Sequence, residues 1–293
     1  MIKNRFPAML SLIALLLSTG CAFDSRTASA AEALPFFTDQ NMGPAPVQLD
    51  VPYVPTAQAT VDEMLRMLRI SNDDILYDLG SGDGRIVITA ARDHGARGVG
   101  YDLDPERISE ANANARQAGV TERVKFIQGD LFDADLSEAS AVTLYLLPTV
   151  NLRLRPKLLA ELRPGTPVVS HDFDMGDWAP EETKEVGGDR LFLWIIPARV
   201  EGTWRWSGPG GVAHLANLSQ EFQKVHGSAS IGGTSVALRN GRVAEDEISF
   251  ELVRNASDKR VTDRYKGRVK GTTIEGTIES SDGTRARWQA VRE

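Results

Sequence analysis

Eleven residues, Ile75-Leu-Tyr-Asp-Leu-Gly-Ser-Gly-Asp-Gly-Arg85, constrain this chain more than any other stretch. The apolar run Ile75, Leu76 and Tyr77 predicts a short buried strand. Gly80, Gly82 and Gly84 follow, and Ile86, Val87, Ile88, Ala90 and Ala91 continue as a helix facing the sheet. Strand, glycine turn and helix together bring backbone N–H groups close to a nucleotide-like ligand. Asp78 stands two residues before the first glycine and Asp83 lies inside the turn. Two carboxylates there repel a pyrophosphate and attract a ligand that carries an ammonium and a sulfonium. Asp102 closes the next strand, Gly98-Val-Gly-Tyr-Asp-Leu-Asp104, where an acid can accept both ribose hydroxyls.

Taken together these residues resemble the class I S-adenosylmethionine-dependent methyltransferases. Asp78-Leu-Gly-Ser-Gly-Asp-Gly84 looks like the family's first motif and Tyr101-Asp-Leu-Asp-Pro105 like its ribose acid. Gln128-Gly-Asp-Leu131 looks like the motif whose acid faces the adenine amino group. The resemblance implies a Rossmann-like seven-stranded α/β sheet with S-adenosylmethionine as cofactor. It implies contacts at Asp78, Gly80, Ser81, Gly82, Asp83, Asp102, Leu103, Asp130, Leu131 and Leu146. Tyr53 and Thr56, in the lead-in Val51-Pro-Tyr-Val-Pro-Thr56, are further candidate contacts; the other reading makes them a staple for the first helix. Within the family, residues 51–197 most resemble the lysine methyltransferases acting on ATP synthase c subunit and adenine nucleotide translocase. That likeness implies an amine acceptor, a protein lysine or a small amine.

In chain order, Thr60 with Glu63 reads as a capping box opening a helix whose inner face is Val61, Met64, Leu65 and Leu68. Asp104 and Pro105 start a second helix as N-cap and first helical residue. Val124–Ile127, Ala141–Leu147 and Val168–Asp174 read as further strands, and Glu182–Val186 with Leu191–Ile196 as a closing hairpin. The acceptor belongs at the carboxyl ends of the strands. The Asn/Asp-Pro-Pro-aromatic signature of many amine methyltransferases is replaced there by Leu146-Leu-Pro-Thr149. Tyr145, His171 and Asp172 are the candidate catalytic residues lining that pocket. A lysine, with a reference pKa of about 10.4, must lose a proton before it attacks. His171 can take that proton, or it can be a rim histidine bonded to Asp172 or Asp174.

Residues 31–200 carry 16 Lys+Arg against 27 Asp+Glu, whereas 201–293 carry 14 against 12. An acidic catalytic half argues against a nucleic-acid acceptor. The single cysteine, Cys21, excludes disulfides within the chain and cysteine-based zinc sites, and the four histidines show no ligand spacing. No metal is expected.

Lys3 and Arg5 precede the apolar run Met9–Leu17, which has the form of a secretory signal spanning residues 1–30. Leu17-Ser-Thr-Gly-Cys21 resembles a lipoprotein box, with residues 1–20 removed and a lipid anchor on Cys21. Ala28-Ser-Ala30 offers ordinary cleavage instead. Residues 31–50 read as a tether. An exported, envelope-located protein follows, unless translation starts at Met42 and the chain is cytoplasmic.

A methyltransferase domain over 51–199 is expected to give way to an antiparallel β domain over 200–293. Short alternating runs such as Gly202–Trp206, Ile248–Val253, Tyr265–Val269 and Thr273–Ile278 are punctuated by Asn240-Gly241 and Asp282-Gly283. They predict a small barrel or sandwich. Two further functional readings stay open: an exported protein that binds the cofactor without turnover, and a small-molecule methyltransferase.

Overall fold

The computed structural model describes residues 53–256 and 259–293. The expected leader, Cys21, the tether and Met42 lie outside the described residues. Two sheets make up the chain. The first runs α1 (Gln58–Leu68), β1 (Ile75–Leu79), α2 (Arg85–His94), β2 (Arg97–Asp102), α3 (Pro105–Ala118) and β3 (Val124–Gln128). It continues with β4 (Ala141–Leu144), α4 (Pro148–Glu161), β5 (Pro167–His171), β6 (Glu182–Val186) and β7 (Asp189–Ile195). The strand order is β3-β2-β1-β4-β5-β7-β6, with β1 to β5 parallel and β7 antiparallel to both neighbours. This is the expected Rossmann-like sheet.

Helices cover both faces, so the central strands are buried and mostly apolar, with Asp78, Thr143, Ser170 and His171 as the buried polar residues of β1, β4 and β5. Successive residues serve opposite cores: Leu76 and Val169 pack under Val61, Met64 and Leu65 of α1, while Tyr77 and Val168 pack with Leu154 and Leu158 of α4. Gly98 in β2 lets α2 close in, because a Cβ there would lie 2.5 Å from Val87 Cγ1. The chain passes from β1 outward to β2, then crosses to β4 on the other side. That reversal leaves a crevice at the carboxyl ends of β1 and β4.

Two local readings are corrected. Helix α1 begins three residues earlier, after an Ala57 N-cap that makes no side-chain bond. Thr60 is instead inside the helix and donates to Asp189 Oδ2 at 2.7 Å, while Glu63 pairs with Arg66 and Lys184. Strand β4 ends at Leu144, so Tyr145 to Leu147 leave the sheet and Pro148 opens α4.

The second sheet comprises β8 (Gly202–Ser207), β9 (Ala213–Glu221), β10 (Lys224–Ile231), β11 (Thr234–Ala237) and β12 (Arg239–Ala244). After these come β13 (Glu247–Ala256), β14 (Lys259–Lys270), β15 (Thr273–Ser280) and β16 (Arg285–Arg292). Strand β16 pairs with β8, β8 with β9, and β9 with β10, which returns through β12 to β15. Eight antiparallel strands therefore close on themselves, with β11 folded back on β10; closure removes the exposed edge a sandwich would leave. Along β14, Val261, Asp263, Tyr265 and Val269 point inward, and Arg264, Lys266, Arg268 and Lys270 point to solvent. That is the reverse of a lipid-facing barrel. Asn240-Gly241 is not a hairpin turn. It lies in β12, where the register slips between Arg239 and Arg242 and Asn240 adopts φ 51°.

The β9–β10 turn joins the two sheets. Phe222 stacks on Trp178, with ring centroids 5.5 Å apart. Gln223 accepts from Trp178 Nε1 at 2.9 Å and donates to the Ile195 carbonyl at 3.2 Å. The barrel thus buttresses the last hairpin of the first sheet.

Candidate active site

The glycine turn after β1 has positive φ at all three glycines, 85°, 51° and 79°. Neighbouring side chains also crowd the turn: a Cβ on Gly80 would lie 2.8 Å from Leu146, and one on Gly82 would lie 2.5 Å from the Tyr53 ring. The loop is drawn toward β2, since Gly80 and Ser81 donate to the Tyr101 carbonyl at 2.8 and 2.9 Å. Asp102 accepts from Gly82 N–H through Oδ2 at 2.8 Å and from Asp104 N–H through Oδ1 at 2.9 Å. Its orientation is therefore set by backbone, with lone pairs left for a ligand's hydroxyls. Ser81 Oγ is buried and has no partner.

An open cleft of about 940 Å³ lies here, bounded by the glycine turn, the lead-in segment and the loops after β2, β3 and β4. Tyr53, Thr56, Asp78, Gly80, Ser81, Gly82, Asp83, Asp102, Leu103, Asp130, Leu131 and Leu146 all line it. Asp130 accepts from Phe132 N–H at 2.9 Å, which fixes the loop holding Leu131. The sequence reasoning missed Arg85 and Arg107. Arg107 lies 4.8 Å from the centre of the Tyr53 ring and helps hold that ring over Gly82. Arg85 grips Asp83 through both carboxylate oxygens, at 2.9 and 2.6 Å, and donates to the Thr56 carbonyl at 2.8 Å.

That pairing corrects the charge argument. Asp83 is held below the usual carboxylate range against its burial by the Arg85 guanidinium, so its charge is locally neutralised. Asp78 is different. It is 2% exposed, burial pushes its pKa up to about 7, and a bond from Thr143 Oγ1 at 2.7 Å offsets only part of this. A buried acid next to a cleft that also contains Asp102 is stabilised by a cation and strained by an anion. The orphaned Ser81 hydroxyl, the sterically reserved glycines, the anchored Asp102 and the cation-seeking Asp78 fit S-adenosylmethionine, which bears hydroxyls, an ammonium and a sulfonium.

Of the candidate catalytic residues, Tyr145 lines the cleft, whereas His171 and Asp172 lie beside it. The Tyr145 ring stacks on the His171 imidazole with centroids 3.8 Å apart. His171 ends β5 and is 2% exposed; its Nδ1 lies 3.1 Å from Thr56 Oγ1. Burial lowers its pKa against the opposing pull of Asp172 and Asp189. Nε2 lies 3.3 Å from Asp189 Oδ2 and 3.6 Å from Asp172 Oδ2, without the alignment of a hydrogen bond. Asp174 is not a partner; it turns back to Gly176 N–H. Asp189 escaped the sequence reading because it lies 18 residues beyond His171 and arrives only through the pairing of β7 with β5. The three side chains form a compact donor set, which the scattered positions of the histidines gave no reason to expect.

A parallel sheet that reverses at β1/β4, with this glycine turn and an acid closing β2, defines a class I S-adenosylmethionine-dependent methyltransferase. Residues 78–182 match the ANTKMT methyltransferase domain. The protein-lysine N-methyltransferase of Saccharolobus islandicus (strain REY15A) is 51% identical over 151 residues, half of this chain and 94% of that protein. The Xenopus laevis enzyme named for lysine N-methylation of the ATP synthase c subunit is 33% identical over 183 residues, 62% of this chain and 78% of that one. A solved structure, an RNA methyltransferase from Salinibacter ruber in complex with S-adenosyl-L-homocysteine, is 59% identical with a TM-score of 0.50. It matches half of this chain and 96% of its own. The chain belongs to the ANTKMT methyltransferase family, and its cofactor is S-adenosylmethionine.

Proposed function

We propose that this enzyme methylates the ε-amino group of a lysine in a protein. The observation that carries the reading is the relative named a protein-lysine N-methyltransferase, aligned over 94% of its length at 51% identity. The site supports it. The cofactor brings an activated methyl group, so the protein's task is to align a neutral amine and exclude water. Tyr145, Leu146 and Val150 wall the cleft at the end of β4, and Asp172 and Asp189 face solvent beside Tyr145. This rim attracts an ammonium and repels a phosphate backbone. The residues proposed to hold the cofactor are the twelve sequence-predicted residues named above as lining the cleft, with Asp102 on the ribose and Asp78 near the cationic end.

The Salinibacter ruber likeness favours RNA as a second reading. One assay separates the two: incubation of the enzyme with methyl-labelled S-adenosylmethionine and a fractionated extract of protein and RNA. Label in protein, mapped by mass spectrometry to methyl-lysine, is the expected result. Label confined to RNA overturns the lysine assignment.

We also propose an envelope location, on the leader at residues 1–30. Fractionation with an epitope after Glu293 tests it: membrane-bound product excludes a start at Met42, and product found only in the cytosol overturns the envelope location.

A further inference from the structure

We propose that His171, Asp172 and Asp189 form a receiving site for the acceptor's ammonium group, with His171 Nε2 as the atom that takes its proton. The inference rests on the lysine reading above.

Three acceptors converge at one point: His171 Nε2, Asp172 Oδ2 and Asp189 Oδ2, the imidazole nitrogen lying 3.6 and 3.3 Å from the two oxygens. Each side chain is anchored by a further contact, which for Asp189 falls on the converging oxygen Oδ2 itself. His171 Nδ1 faces Thr56 Oγ1, Asp189 accepts from Thr60 Oγ1, and Asp172 Oδ1 accepts from Arg190 N–H at 2.9 Å. Asp172 also sits at φ 61°, a left-handed conformation that aspartate tolerates, and its own N–H donates to the Arg190 carbonyl at 2.6 Å. The inner nitrogen belongs to a side chain 3% exposed and makes no aligned hydrogen bond; its neighbours are the two carboxylate oxygens. With the imidazole neutral and its hydrogen on Nδ1, three acceptors face one another there, an arrangement that a cationic donor completes.

The shape of the gap says which ligand. An ammonium has three N–H donors and no acceptor. Two carboxylates about one-third exposed and one imidazole lone pair offer three acceptors on one side, open to solvent on the other. The Tyr145 and Phe173 rings, stacked 6.5 Å apart by centroid, stand alongside as apolar faces that suit a lysine's methylenes.

The proton balance follows. With the imidazole hydrogen on Nδ1, facing Thr56 Oγ1, Nε2 accepts a proton from the ammonium, leaving a neutral amine and an imidazolium between two carboxylates. The amine then moves past Tyr145 into the cleft, where its lone pair forms the new N–C bond as the S–C bond pair returns to sulfur. The imidazolium releases its proton to water past Asp172. One ammonium and one sulfonium thus give one methylammonium, one thioether and one proton. The charged and titratable groups facing His171 are Asp172 from its own strand end, Asp189 from β7 and Tyr145 from the loop after β4.

The test uses the whole chain saturated with S-adenosylmethionine, with lysine capped at both backbone ends as the probe and its Nε-acetyl form as the uncharged control. Imidazole nitrogen NMR, assigned with H171Q, reads the site. Capped lysine is expected to shift the His171 Nε2 resonance, the acetyl form is not, and D172N and D189N each weaken the response about tenfold. Asparagine keeps the Arg190 and Thr60 contacts, and the Tm of each variant checks folding. H171Q should lose about 100-fold in turnover at pH 7 and recover most of it near pH 10, where lysine deprotonates unaided. Equal shifts from both probes overturn the proposal. Tighter binding of Mg²⁺ or Zn²⁺ alone at these residues also overturns it, making the cluster a metal centre. The lysine reading fails separately: a chain that responds to capped lysine but labels only RNA keeps the ammonium site. Protein-lysine methylation unaffected by D172N and D189N removes the site and leaves the reading intact.

Discussion

Asp78 in the first sheet and Asp263 in the barrel are both buried, 2% and 0% exposed. Their surroundings differ. Asp263 accepts from the Arg254 guanidinium through both oxygens, at 2.6 and 3.3 Å, and from the Ser280 hydroxyl. Asp78 has Thr143 Oγ1 and no cation. The two buried histidines repeat the contrast. His214 has Nδ1 2.9 Å from the Val212 carbonyl and Nε2 3.5 Å from the Tyr265 hydroxyl, while His171 turns Nε2 toward the Asp172 and Asp189 carboxylates without an aligned hydrogen bond. Among the described residues the barrel leaves two buried nitrogens without a hydrogen bond, Trp206 Nε1 and Arg292 Nε, and the first sheet leaves Ser81 Oγ, Asn151 Oδ1 and His171 Nε2. Of these, Ser81 lines the cleft and His171 stacks on Tyr145, which also lines it. An incomplete hydrogen-bond set is tolerable when a ligand completes it, so the difference marks a scaffold from a site.

The contrast breaks most visibly in the barrel. Asp263→Asn leaves the Arg254 charge without its partner and should destabilise the chain by on the order of 3 kcal/mol in urea unfolding. The affinity for S-adenosylmethionine should not change. A loss of affinity would show that the barrel shapes the cleft and is not only its buttress. Asp102→Ala is next. At 100 times its Kd a ligand stabilises the native state by about 2.7 kcal/mol, a shift of a few degrees in Tm. The variant should lose that shift while its unliganded Tm moves little. An unchanged shift would remove Asp102 from the cofactor site.

The sequence revealed the first sheet more fully than the site's chemistry, for a physical reason. Glycine turns and apolar runs are local, and they placed Gly80 to Gly84 in the turn after β1 and Asp102 at the end of β2; the seven-stranded sheet was implied by the family resemblance. Pairing across distance is not local. Arg85 reaches the Thr56 carbonyl across 29 residues, and Asp189 reaches His171 through the β5–β7 register. Thr60 and Glu63 matched a capping box, yet the preceding turn was already helical from Gln58, so both side chains were free for other partners. In the barrel, β9 and β12 went unread. Asn240-Gly241 has the composition of a hairpin turn, and the longer pairing of β12 with β13 absorbs it as a bulge.

Asp78→Asn tests the sheet side of the contrast with a two-signed outcome. Folded Asp78 has a pKa raised to about 7, against about 3.9 for an unfolded aspartate. Between these values the folded state holds the proton and the unfolded state does not. Its stabilising contribution is therefore full below about pH 4 and lost as pH rises through 7. The amide removes the penalty, so the unliganded variant should be more stable at pH 7.5 by on the order of 2 kcal/mol, allowing for relaxation around the buried group. The same change should weaken S-adenosylmethionine, whose cation wants the carboxylate. In the unmutated chain, affinity should rise with pH up to about 7.5, with proton release on binding visible by calorimetry in buffers of different ionisation enthalpy. Equal affinity in the variant would mean that Asp78 only shapes the turn.

The smallest expected effect concerns His214, and it sharpens the comparison by sign. Burial lowers its pKa, outweighing the Val212 carbonyl and Asp263, so the folded barrel prefers it neutral. As pH falls below about 6.5 the unfolded chain gains a proton that the barrel resists, and stability is lost. That is opposite in direction to Asp78 over part of the same range, so the whole-chain curve hides both. His214→Phe keeps an aromatic face against Trp206, 5.1 Å away by centroid, and removes the titration. Urea unfolding of the two proteins at pH 7.5 and pH 5 should show the variant gaining relative to the parent as pH falls. A constant gap would mean that His214 takes up its proton equally in the folded and unfolded chain, and a parent gaining on the variant as pH falls would mean that His214 is protonated in the fold, with Asp263 as its counter-charge. In that last case the barrel would hold, beside the Asp263–Arg254 pair, a buried group that titrates, and the line between scaffold and site would have to be drawn elsewhere.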